Sequence, residues 1–447
     1  MRTRTLERAL LVSWVFFLSA SSAAPAAPTA PALPAPPVFP ARPALGSGQV
    51  PFEQAVRDLT SPDANVRLRA AQLLKEAAYP EAAAPLAPLV TDPQDDVQLE
   101  AIAAEVNIFL AEKIVPRKRV GFLIEVRNKI AAEAAFSAGP LAVGPRPAPM
   151  AVLTALRAAA RDGNPQIGVE ALYAFGTLSV TTGGNLRREL LRSTGPDLAA
   201  ILGAPDPGLR LAAVRVIGRL FEKRPQDEAI DPNVGDAVIV ALNDGDRLVK
   251  GAAMSTLGAL RYERAVQALT DLFQYYGRND LGMAAFDAIA RIAHTSSVPL
   301  FSAQLAGKNV ALKGIAIEGL ARLGDRGKLA DIEAALRGER NDEALLAGSF
   351  ASVLLSNVPI DPLVEALRRP KQRDQARQYL VEIAPGRPVS FNRSVQDPDA
   401  RLRADVADIL GLGGDAAALP LVESLMKDRD PQVVLAAQRA AARLRST

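Results

Sequence analysis

VRLRAAQLL from Val66, LRLAAVRVIG from Leu209, VKGAAMSTLG from Val249 and LRADVADILG from Leu402 are copies of one helical phrase. LGMAAFDAIA from Leu281 and LKGIAIEGLA from Leu312 repeat it. Each opens on an apolar anchor and places small or aliphatic residues four, five and eight positions later, a helical stripe. One isolated helix pair cannot bury such a stripe, and the copies return at intervals of about 31 to 42 residues, which predicts a stacked array. The chain is therefore read as all-α, a right-handed α-solenoid of antiparallel helix pairs.

The anchors run Val66, Val97, Ile167, Leu209, Val249, Leu281, Leu312, Leu345, a degenerate copy near Ala376, Leu402 and Val433, about eleven units. Asp, Asn and Pro-rich turns such as SPDAN (61–65) and TDPQDD (91–96) precede the anchors, and their side chains are suited to cap the helix that follows. Gly176, Gly218, Gly258 and Gly411 fall nine residues after their anchors, where helix ends with positive φ are expected. Helix pairs spaced about 8 to 10 Å apart give an arc on the order of 100 Å, long enough for an extended peptide.

This pattern resembles the HEAT repeat superfamily, in particular the short HEAT-like repeats of the phycobiliprotein-lyase type, with a turn followed by V-R-x-x-A-A-x-x-L-G. The resemblance covers roughly residues 50–447. It implies a non-catalytic protein-interaction scaffold or adaptor that works through an extended surface. The alternative it brings is a bilin-lyase-like or chaperone-like protein holding a small molecule or a substrate protein in the inner groove. A deep pocket lined by carboxylates and Tyr275 or Tyr276 would favour that alternative.

Ahead of the repeats, Arg2, Arg4 and Arg8 precede the apolar run Ala9 to Ala20, the layout of a secretory signal. Twelve apolar residues fall short of the roughly 20 that span a bilayer. A cleaved signal peptide over 1–23 is expected, with an uncleaved anchor as the lesser alternative. Residues 24–48 are an Ala/Pro-rich linker, and the solenoid occupies 49–447. These features predict export to the periplasm or beyond, in a bacterial cell.

The chain has no cysteine and one histidine, His294. Disulfides and thiol chemistry are excluded, and no conventional Ser-His or Cys-His pair can be assembled. Removing Arg2, Arg4, Arg8 and Glu7 lowers the net charge from +3 to about +1, and the aromatic content is 5%, so nucleic acid is not expected as a partner. The acidic turns at Asp92–Asp96 and Asn243–Asp246 lack the spacing of a calcium loop and read as caps. No catalytic residue, cofactor or metal is expected.

Two groups of residues are candidates for partner binding. Seventy residues separate Val97 from Ile167, and the excess contains an irregular insertion at about 111–149. There Arg117, Lys118 and Arg119 alternate with apolar residues including Phe122, a character suited to a partner helix or an anionic membrane surface, beside the reading of a degenerate repeat. SAGPLAVGPRPAPM (137–150) is expected as a loop. The second group is the cation directly after the anchor: Arg67, Arg210, Lys250, Lys313 and Arg403. The resemblance implies that these pair with capping residues of nearby turns, Asp63, Asp206, Asp246, Asn309 and Asp399. An acidic ligand running down the ladder is the other reading.

Overall fold

The computed structural model describes residues 52–110, 131–144, 146–222 and 229–446. The signal and linker lie outside the described residues, as do Arg117, Lys118, Arg119 and Phe122 of the insertion. Among the described residues there are twenty-two α-helices and no strand.

They form eleven units, in most of which a first helix and a turn lead into a longer second helix. The pairs are α1 (Phe52–Asp58) with α2 (Ala64–Ala77), and α3 (Ala83–Leu86) with α4 (Asp95–Phe109). After an extra helix, α5 (Ala131–Ala138), come α6 (Met150–Ala159) with α7 (Pro165–Leu178) and α8 (Gly184–Ile201) with α9 (Pro207–Glu222). The middle of the array pairs α10 (Pro232–Ala241) with α11 (Arg247–Leu260), α12 (Val266–Tyr276) with α13 (Asp280–Ile292), and α14 (Val298–Leu305) with α15 (Val310–Arg322). Next are α16 (Leu329–Leu336) with α17 (Asp342–Ser356) and α18 (Asp361–Ala366) with α19 (Arg373–Ile383). In the tenth unit two 3-10 turns, Pro388–Phe391 and Ser394–Gln396, replace the first helix before α20 (Ala400–Gly413). The last pair is α21 (Leu419–Leu425) with α22 (Pro431–Ser446).

Most second helices begin where a short polar side chain turns back on the backbone, α4 and α19 being exceptions. Asp63 accepts from the Asn65 amide, Asn164 from Gln166, Asp246 from Leu248 and Val249, Asn309 from Ala311 and Leu312, and Asp399 from Arg401. Each cap satisfies donors that the helix cannot and contributes about 1 kcal/mol. The stripe then buries itself: Ala70, Ala71 and Leu74 in α2, Ala253, Met254 and Leu257 in α11, and Val406, Ala407 and Leu410 in α20 are all inaccessible to solvent. Second helices pack on the second helices of neighbouring units to form one continuous core.

Two sequence expectations change. The glycines nine residues after the anchors do not end helices and do not have positive φ. They sit inside the second helices where the next unit comes closest. A Cβ on Gly258 would lie 2.9 Å from the Ala288 Cα, one on Gly411 2.7 Å from the Ala440 Cα, and one on Gly218 2.9 Å from Thr256 Oγ1. Several helices instead end on left-handed residues such as Ala78, Arg261, Ala293 and Gly414. Leu345, expected as an anchor, is exposed, because Asn341 caps through Ala344 and the buried stripe of α17 passes through Ala344 and Leu346 instead.

The third change is in curvature. Ala442 of α22 lines the same cavity, of about 580 Å³, as Pro80, Ile108, Phe109 and Leu110 of the second unit. The last unit has therefore come round near the second, and the stack curves back on itself as a coil rather than running out as an open arc.

Candidate interaction surface

The cation after each anchor is consumed by the stack. Arg67 faces Asp92 through Nε and Nη2 at 2.7 and 2.8 Å and donates Nη1 to the Ser61 and Pro62 carbonyls. Arg210 repeats this on Asp244, Ala204 and Pro205, and Arg403 on Asp428, Asp397 and Pro398. Lys313 reaches Glu339 at 3.2 Å, while Lys250 makes only a 3.5 Å contact with the Tyr276 hydroxyl. The partners are not the capping residues of the cation's own turn. They are the acids two residues ahead of the next unit's cap, where Asp92, Asp244 and Asp428 also accept from the Gln94, Asp246 and Asp430 amides. Arg403, with these amide and charge contacts, holds the Asp428 carboxyl below its ordinary range, and Arg210 does the same to Asp244. The ladder thus ties unit to unit.

The insertion does not break this lattice. Gln98, in the cation position of the second unit, donates to Asp162 Oδ2 at 3.1 Å just before the third unit's second helix. The stretch after residue 130, expected as a loop from 137 on, is organised. The Phe109 carbonyl accepts from the Gly144 amide at 2.8 Å, and α5 packs on α7. Arg219 donates to the Phe136 carbonyl at 3.0 Å and stacks its guanidinium 4.3 Å from the centre of that ring. Arg215 reaches Glu133 and the Tyr173 hydroxyl, both at 3.2 Å, and Glu170 accepts the Ala132 amide at the start of α5. Burial pushes the Glu170 carboxyl up to about 7 despite that bond.

The remaining sequence candidates are accounted for by local structure. His294 caps a 3-10 turn by accepting the Ser296 amide. Of the acidic turns, Asp244 and Asp92 hold the ladder, Asp246 caps α11 and Asp95 accepts from Asn164 Nδ2. Tyr275 is 80% exposed rather than set in a pocket.

What the sequence did not reveal is an apolar edge on units five and six. Val240 and Leu248 flank the turn between α10 and α11 and are 72% and 57% exposed. Tyr275 precedes the equivalent turn of the next unit, and Arg247 joins the two turns through Asp280 at 3.0 Å. Large apolar side chains gathered on a polar edge mark a contact surface. A second feature missed from the sequence is Glu105. It is fully buried, both carboxylate oxygens lack a partner, and burial pushes it up to about 9.

The family described as HEAT repeats matches residues 195–276. No curated protein matches the chain. Among solved structures, an engineered protein is 17% identical, with 88% of this chain and 99% of that one covered and a TM-score of 0.44. Kap95p, in a structure describing its binding to RanGDP, is 17% identical over 86% of this chain and 49% of its own, at 0.35. Importin beta is 16% identical over 88% and 50%, also at 0.35. The chain spans about half the length of these last two. Residues 195–276 carry HEAT repeats, and the units on both sides continue their capped helix pairs.

Proposed function

We propose that this chain is a non-catalytic protein-interaction scaffold, exported to the cell envelope by its N-terminal signal, and that it takes its partner on the edge formed by units five and six. The observation that carries the reading is the exposure of Val240, Leu248 and Tyr275 at the turns of two successive units within the HEAT-repeat segment. Tyrosine is enriched among the side chains that carry binding energy at interfaces. The engagement of His294 and of the ladder cations in the fold also supports a role in binding rather than chemistry. The basic-apolar segment of 111–149 is the second contact region, for a partner or an anionic membrane surface.

Affinity capture from the host envelope tests this with three baits: the mature chain, the Val240→Asp/Tyr275→Ala variant, and a chain lacking residues 111–130, which keeps the packed α5. A partner held by the first and lost by the second supports the edge. A partner lost only by the third moves recognition to the insertion, and no partner on any bait contradicts the scaffold reading.

A further inference from the structure

The second helices of units five, seven and nine meet on one carboxylate. Arg322, near the end of α15, sets Nε against both oxygens of Glu382 on α19 at 3.0 and 3.1 Å. Arg261, which ends α11, reaches the same carboxylate through Nη2 at 2.9 Å. Behind them the Tyr379 hydroxyl donates to Glu318 at 2.5 Å, and Arg322 Nη1 meets Glu318 at 3.2 Å. In the stack α13, α15 and α17 lie between α11 and α19, and 121 residues separate Arg261 from Glu382. This contact crosses the inner edge of the coil instead of running along it.

We propose that Glu382 is the pin of a clasp that ties α11 to α15 and α19, and that releasing Arg261 from it lets α11 and α19 move apart. The two halves of the clasp are built differently. Arg322 is 7% exposed and has Glu318 as a second partner, so its bond to Glu382 is a fixed part of the stack. The Arg261 side chain is 58% exposed, and its guanidinium meets the Glu382 carboxylate at 2.9 Å. Its backbone takes φ 52° at the end of α11, a left-handed conformation uncommon for a residue with a side chain. Mobile ions screen an exposed pair and leave a buried one largely intact, so salt acts on the Arg261 half alone. The Arg261 contact is thereby releasable while the buried Arg322 half stays in place.

The chain contains no cysteine, so two introduced thiols label cleanly. Spin labels at Glu263→Cys and Ser390→Cys, both exposed and near the two ends of the clasp, report the span in the full chain. The unaltered clasp gives one narrow distance population. Arg261→Glu and Glu382→Gln each give a longer, broader one at unchanged helical content, and 1 M salt moves the parent toward the Arg261→Glu result. Arg261→Glu alters a surface side chain and carries the test if Glu382→Gln does not fold. A distance population in Arg261→Glu equal to that of the parent overturns the proposal, as does lengthening in Glu382→Gln alone.

Discussion

Glu105 occupies the position eight residues after an anchor, where other units place Leu74, Phe175, Ile217, Leu257, Ile289, Leu320 and Leu410. Its carboxyl has no partner, and transfer from water to such a site disfavours the ionised form. An ordinary glutamate near 4.5 is displaced to about 9 in the fold, so the folded chain holds a proton that the unfolded chain releases across that window. Stability linked to this group is therefore intact at pH 4.5 and falls as pH rises to about 9. At about 1.4 kcal/mol per pH unit, the loss by pH 7 is about 3 kcal/mol. Glu105→Gln keeps the shape and removes the titration, and Glu105→Leu installs the residue that four other units use there. Chemical unfolding of parent and variants at pH 5, 7 and 8.5 gives difference curves in which every other titration cancels, Glu170 included. The parent should fall behind both variants with increasing pH, and Glu105→Leu should be the most stable at pH 7. Parallel pH profiles for parent and Glu105→Gln would refute the assignment of a buried, protonated carboxyl.

Other outcomes follow from the stack. Gly258→Ala places a methyl 2.9 Å from backbone and costs about 1 to 2 kcal/mol net, whereas Gly314→Ala, with nothing within 4 Å, gains about 0.5 to 1 kcal/mol from helix propensity; opposite shifts in thermal midpoint check both. Arg403→Ala strips Asp428 of its partner and lowers stability by about 2 kcal/mol, while Arg247→Ala, in an exposed pair, changes it by less than about 0.5 kcal/mol. Because Asp428 is held below its ordinary range, the Arg403 contribution is present at neutral pH and lost as acid titrates that carboxylate, so the two curves should converge at low pH.

The array itself was legible in the sequence because period, capping turn and stripe are local properties of each copy. The cations after the anchors were legible as ion-pair members, but their partners were not, because Asp92 and Asp428 stand in the turn of the following unit and sequence spacing does not separate them from the caps. The glycines were misplaced for the same reason: a helix-ending glycine and one admitting a neighbouring helix occupy similar positions in a phrase, and only the neighbour distinguishes them. Glu105 stood in plain view in EVNIF, where a charged residue at a stripe position was the signal. The clasp was beyond reach, since Arg261 and Glu382 meet only through curvature accumulated over four units. The apolar edge likewise needed exposure, as Val240 and Tyr275 look like ordinary helix residues in sequence.

Closure of the coil is the claim on which the rest depends, because it sets which faces a partner can reach. Fluorophores at Glu81→Cys and Arg445→Cys, exposed positions beside Pro80 and Ala442, measure it by energy transfer in the full chain. A closed coil predicts efficient transfer over a separation of about 30 Å or less. An open stack would set the two ends on the order of 100 Å apart, and an absence of transfer would contradict the account.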